Sequence, residues 1–223
     1  MIREFGAGEI LYLVTAMQWT VMLSAIAFAG GGLLGLVLTI LRMAPWRPGH
    51  WLVTGYVQLF QGTPLLMQLF IFYFGFGIFG WDVPAIVAAS TALILYAAAF
   101  LTDIWRGCIQ AIPAGQWEAA RALGLRFLPQ AWLVILPQAV RIAIPPTVGF
   151  LVQLVKNTSL ASIVGYVELT RAGQVINNAT FQPFSVFLVV AALYFALCFP
   201  LSLLSQRLER RLRTGGAPMH AIP

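Results

Sequence analysis

Four stretches of this chain, 17–41, 52–79, 83–102 and 184–206, contain no Asp, Glu, Lys or Arg. A helix needs about 20 apolar residues to cross the hydrocarbon core of a bilayer, and each stretch is long enough. A fifth, from about 142 to 165, is interrupted by Lys156 and carries Pro145 and Pro146 near its start. Proline in a membrane helix is tolerated where neighbours satisfy the freed carbonyls, which places this span inside a bundle. Composition agrees: 60% of residues are hydrophobic and 9% charged, against roughly 25% charged in a soluble domain. An ordinary soluble enzyme is thereby excluded. The expected fold class is an all-α polytopic membrane protein with five transmembrane helices.

The net charge of +6 does not point to nucleic acid, because the cations lie between apolar stretches and not on one soluble face. They report topology. Arg42, Arg47, Arg106, Arg121, Arg126, Arg141, Arg207, Arg210, Arg211 and Arg213 fall on one side of the expected spans, and Arg3, Lys156 and Arg171 on the other. Glu4, Glu9, Asp82 and Glu168 share the side with few cations. The positive-inside rule then places the amino terminus outside and the carboxyl terminus in the cytoplasm of a bacterial inner membrane. The basic run from Arg207 to Arg213 is suited to anionic lipid headgroups. Residues 1–213 form one membrane domain on this reading, followed by a disordered tail at 214–223. The first apolar stretch, about 25 residues long and preceded by acids as well as Arg3, is a retained span and not a signal peptide.

Cys108 and Cys198 stand far apart, and His50 and His220 have no metal-ligand spacing. Packing is the expected role of the cysteines, with no metal site and no catalytic constellation. Gly30, Gly31, Gly32 and Gly35 in the first span are small enough to let another helix backbone come close.

The longest segment on the cation-rich side runs from 109 to 135. Pro113 and Gly115 punctuate its start, Glu118 is expected in the first turn of a short helix, and Gly124 is placed just past its end. Ala119, Ala120, Ala122 and Leu123 would give that helix a small, apolar face. Such a face suits either the headgroup region of the membrane or a groove on another protein.

Glu118-Ala119-Ala120, then Gly124 after three residues, then Val134-Ile135-Leu136-Pro137 after nine, resembles the EAA loop of ABC-importer permeases, with Val134 as the departure. Three further stretches are similar to the polar-amino-acid permeases: Phe60-Gln61-Gly62-Thr63-Pro64-Leu65-Leu66-Met67-Gln68, Ala99-Phe100-Leu101-Thr102-Asp103-Ile104-Trp105-Arg106-Gly107, and Lys156-Asn157-Thr158-Ser159-Leu160. The resemblance implies the type I ABC importer permease fold, five spans, an outside amino terminus and a cytoplasmic coupling helix. Glu118, Ala119, Ala120 and Gly124 are the matching positions for docking a cytoplasmic ATPase dimer. It also implies a second permease copy or homologue and a periplasmic amino-acid-binding protein as partners. The family's usual Glu and Arg are replaced by Gln58 and Gln61, so nothing that depends on that ion pair carries over. The usual glutamate appears as Asp103, three residues before Arg106.

The chain has no G-x-x-x-x-G-K-[ST] phosphate loop, and its single lysine follows Val155, so ATP and Mg would be bound by the partner ATPase and no cofactor by this chain. The expected substrate path uses polar groups held within or beside apolar spans: Gln61, Thr63, Gln68, Asp103, Asn157, Thr158 and Ser159. Burying such a group without a partner costs about 1–3 kcal/mol, so each needs a neighbouring helix or a substrate. Asn157 stands where relatives have aspartate, which favours neutral or acidic polar amino acids over cationic ones. The alternative, an ion-coupled secondary transporter, would be expected to show paired internal repeats with broken helices, and none is visible.

Overall fold

The computed structural model describes residues 5–44, 46–78 and 80–214. Among them the elements are all helical. The expected tail lies outside the described residues except for Thr214, as do Arg3 and Glu4.

The first helix, α1 (Ala7–Met43), is longer than the 17–41 stretch because Glu9 belongs inside it. The Glu9 carboxylate accepts the Gly6 N–H at 3.0 Å, which satisfies a donor that the start of a helix leaves free. At 37 residues, α1 extends about 55 Å at 1.5 Å per residue. Its main partner is α4 (Ala85–Gln110). A Cβ on Gly31 would lie 2.5 Å from the Ala97 Cβ, so the two backbones approach as closely as the glycines of α1 promised.

The expected span at 52–79 is broken. Helices α2 (Arg47–Gly62) and α3 (Leu65–Ile78) meet at 104°. Pro64 is the cause: it has no N–H to continue the helix, and it forces Thr63 into extended backbone (φ −116°, ψ 142°). Among the described residues, four helices are long and apolar enough to cross a membrane, and the bent pair makes five if it counts as one span.

Span four is a continuous helical run, Phe127–Ser162, not a helix beginning near 142. It comprises α6 (Phe127–Gln130), a five-residue π-helical turn (Ala131–Ile135), α7 (Leu136–Asn157) and a 3₁₀ turn (Thr158–Ser162). Pro145 and Pro146 therefore lie in its middle, and Lys156 does not interrupt it. Asn157, Thr158 and Ser159 form its last turns instead of following it. A short helix that the sequence did not announce, α8 (Leu169–Thr180), then leads to α9 (Pro183–Thr214), whose last turns carry Arg207, Arg210 and Arg211.

Four packed clusters fix these elements among the described residues, one of them joining α7 to α9 through Val152, Val155 and Cys198. The central one joins α1, α3, α4 and α7 through Leu23, Leu69, Leu93, Leu101 and Leu154. A second joins one end of α1 to α8 and α9 through Leu13, Ala16, Leu169, Ala172, Val186 and Val190. A third, Ile112, Ile135 and Ala139, sits under the segment that follows α4. Cys108 and Cys198 are buried and unpaired, and no cluster of metal-binding side chains occurs among the described residues.

Candidate functional site

The segment at 109–135 resolves into three parts: the last turn of α4, the helix α5 (Ala114–Ala122), and the start of span four. Pro113 precedes α5 in extended backbone, and its carbonyl accepts the Gln116 N–H at 3.0 Å. The far end closes as a Schellman motif. Gly124 N–H donates to the Arg121 carbonyl (2.9 Å) and Leu125 N–H to that of Ala120 (3.2 Å), with Gly124 at φ +76°. A glycine is needed there because side-chain-bearing residues avoid that backbone region.

Two sequence expectations change at this helix. Glu118 is in its second turn and not its first, because α5 starts at Ala114. Ala120 is 2% exposed and packs inward, apart from the exposed face expected to hold it. Glu118, Ala119, Ala122 and Leu123 are exposed together, and Leu123 is 80% exposed. The outward face is a carboxylate beside small and apolar groups.

Its inward face is tied to span four. Gln130, 3% exposed, donates its amide N–H to the Trp117 carbonyl. The Trp117 and Phe127 rings stack with centroids 6.4 Å apart. Gln138 donates to Gln116 Oε1 (3.2 Å) and to the Val134 carbonyl (2.8 Å). The π turn lies directly beneath. Leu136 N–H reaches back five residues to Ala131, next to Pro137, which has no N–H to offer Leu133.

The polar residues expected along the path separate into three groups. Gln61 and Asp103 come together in a cleft of about 470 Å³, whose walls include Phe100, Ile104, Ile142 and Pro146. Asp103 Oδ1 is shared by Arg106 (3.0 Å) and by Arg42 of α1 (3.2 Å). The sequence named the Arg106 partner and missed Arg42, which is 61 residues away; only its position at the end of an apolar stretch hinted at it.

Thr63 and Gln68 serve the break in span two. The Gln68 amide donates to the Phe60 carbonyl (2.9 Å), the Thr63 carbonyl (3.1 Å) and Thr63 Oγ1 (2.9 Å). Of these, the Phe60 carbonyl is the acceptor that Pro64, with no N–H, leaves without a helical donor. Asn157 accepts from Gln153 at 3.1 Å, beside exposed Lys156. Thr158 and Ser159 donate to the carbonyls of Val155 and Lys156, each at 2.7 Å, and Thr158 is fully buried.

Glu168, expected on the outer side with other acids, is fully buried. It caps α8 through the Arg171 N–H (2.9 Å) and accepts from Tyr194 of α9 (2.7 Å) and Thr20 of α1 (3.3 Å). Burial raises its carboxyl above the usual range, against the pull of those donors.

Residues 31–214 match the family described as binding-protein-dependent transport system inner membrane component. The chain belongs to this family. It is 36% identical over 193 residues to the probable glutamine ABC transporter permease GlnM of Bacillus subtilis, covering 86% of this chain and 89% of that one. The L-cystine transport system permease TcyB of the same organism is 37% identical, over 88% of this chain and 84% of that one. A solved amino acid ABC transporter, determined with histidines, superposes with a TM-score of 0.86 at 32% identity, covering 90% of this chain and 94% of that one. The fold is thus that of type I ABC importer permeases. The chain is a multi-pass inner-membrane permease subunit and not an enzyme, and ATP hydrolysis belongs to a separate subunit. An ion-coupled secondary transporter is not a member of this family.

Proposed function

We propose that this chain forms the translocation path of an ATP-driven importer for polar amino acids and takes its mechanical input at α5. One observation carries this reading: a short helix, closed by Gly124 and exposing Glu118, Ala119, Ala122 and Leu123, is mounted between two spans of a chain in this family. A cytoplasmic ABC ATPase dimer binding ATP and Mg is the partner for that face. A second permease, identical or homologous, would complete the path, and a periplasmic binding protein would deliver the substrate. In this arrangement the amino terminus is outside and α5 is cytoplasmic, as the distribution of arginines favours.

Within the path, Gln61 and Asp103 line the inner cleft and Asn157 stands with Gln153 near the end of α7. Thr63 and Gln68 shape the bend between them, and Thr158 and Ser159 close the end of span four. Permeases similar to this chain are named for glutamine and for cystine, in line with polar amino acids as the substrate class. Asn157 favours neutral or acidic side chains, and stronger competition by arginine or lysine than by glutamine or glutamate would reject that preference.

Tagged chain purified in mild detergent should bring the ATPase and any second permease with it. Glu118→Lys or Gly124→Asp should abolish uptake in reconstituted vesicles while membrane insertion persists. Undiminished uptake in either variant would argue against α5 as the docking helix.

A further inference from the structure

Of the groups that hold α5, one is a polar side chain with almost no exposure and no place in the sequence motif. Gln130 belongs to α6, the first turn of span four, and its amide crosses to a main-chain carbonyl of α5. A buried amide would cost more than it returns if left unpaired, so its partner is not incidental. Arg121 Nε also reaches the Trp117 carbonyl, at 3.3 Å, so Gln130 binds within the turn that carries Glu118. Above it, the π turn and the Pro145-Pro146 pair interrupt regular hydrogen bonding in the same span. Two clefts border that proline pair: the one at Gln61 and Asp103, and another of about 530 Å³ that reaches Ser205 and Glu209.

We propose that Gln130 is a positioning residue for coupling: it clamps the docking helix to the foot of span four, so that displacement of α5 is delivered into α7 at the π turn and the proline pair. The clamp acts through a donor hydrogen bond to a main-chain carbonyl, so it depends on the side chain at 130 being a donor. Shape alone is not sufficient. The inference rests on α5 docking an ATPase, and it adds where the motion goes next.

The test uses the complete transporter in vesicles with the binding protein supplied, and reads substrate imported per ATP hydrolysed. Gln130→Met keeps length and loses the donor; its import per ATP should fall about fivefold, the factor that one hydrogen bond corresponds to, with the ATPase still bound. Gln130→Glu keeps the shape. As a carboxylate it only accepts, so coupling should be impaired at pH 8 and recover relative to wild type towards pH 6 as the buried acid takes a proton. Unchanged import per ATP in Gln130→Met overturns the proposal. An equal deficit in Gln130→Glu at both pH values also overturns it, because a packing role would not follow the proton. Loss of ATPase binding by wild-type chain would strike the docking reading instead, and a pull-down on the same preparation separates the two.

Discussion

Two seams run along α4 and they are built on opposite principles. Against α1, the contact is made by glycine and alanine: Ala97 and Ala98 are fully buried, and Thr102 spans the gap with a hydrogen bond to the Gly35 carbonyl at 3.2 Å. Against α7 the contact is made by rings, with Phe100 and Phe150 stacked at 5.5 Å and Trp105 donating to Thr147 at 2.9 Å. The prolines and both clefts at this end lie on the α7 side. Close backbone packing has no slack, whereas rings and single hydrogen bonds have alternative arrangements. The contrast assigns α1 and α4 to one rigid unit and places compliance in α7 and α9, the side to which α5 is fastened.

The largest effect should come from breaking the tight seam. Gly31→Val would force side-chain atoms into Ala97, whose Cβ would be 2.5 Å from the new Cβ, and should lower stability by roughly 3 kcal/mol or prevent assembly. Gly149→Ala, on the face of α7 that meets α9, has only Ser205 Oγ at 3.6 Å to meet and should be tolerated or stabilising by about 0.5–1 kcal/mol from helix propensity. Thermal unfolding in detergent measures both. Equal damage from the two substitutions would dissolve the contrast between the tight α1–α4 seam and a looser α7.

Asp103→Asn asks whether the tight seam is also held by charge. It would leave Arg42, with 9% of its side chain exposed, without an anionic partner. Removing one member of a buried pair costs about 3–5 kcal/mol, but Asp103 is 40% exposed, so roughly 1–2 kcal/mol is expected after screening. The loss should shrink in the double variant Asp103→Asn with Arg42→Met, read by the same unfolding assay. Additive losses would mean that the two side chains are not coupled.

The seams differ in how far the sequence exposes them. Gly31 and Gly35 could be read directly, because a glycine run in an apolar helix has few other uses. The helix α5 was legible from Pro113 and Gly124, since capping chemistry is local. The break at Thr63 and Pro64 was within reach, as a proline in mid-span withholds a donor, but the uninterrupted hydropathy concealed it. Arg42 meeting Asp103, and Glu168 meeting Thr20 and Tyr194, depend on contacts between distant segments that no local pattern encodes. Gln68 shows in sequence that a buried amide needs partners, but not that Phe60 and Thr63 supply them.

Glu168 extends the comparison to the opposite end of α1, where the acid has hydroxyl and main-chain donors in place of arginines. Its carboxyl is raised by burial, so the folded protein holds that proton more tightly than the unfolded chain does. The resulting stabilisation is fully present below the unfolded value and is lost as pH rises through the folded one. Wild type should therefore lose stability relative to Glu168→Gln as pH rises above the ordinary glutamate range and through the raised folded-state value. Parallel pH profiles for the two proteins would show that the carboxyl does not titrate within the fold.

The smallest effect tests compliance itself. Ser205 of α9 donates to the Pro145 carbonyl at 2.9 Å, and interhelical hydrogen bonds within membranes average about 0.6 kcal/mol. Ser205→Ala should barely move the unfolding midpoint. If α7 is the soft member, however, even that small loss should speed amide hydrogen exchange through 147–152 and leave 94–102 of α4 unchanged. Exchange that rises equally in both segments would mean that α4 shares the flexibility of α7, and that the motion of α5 has no preferred route.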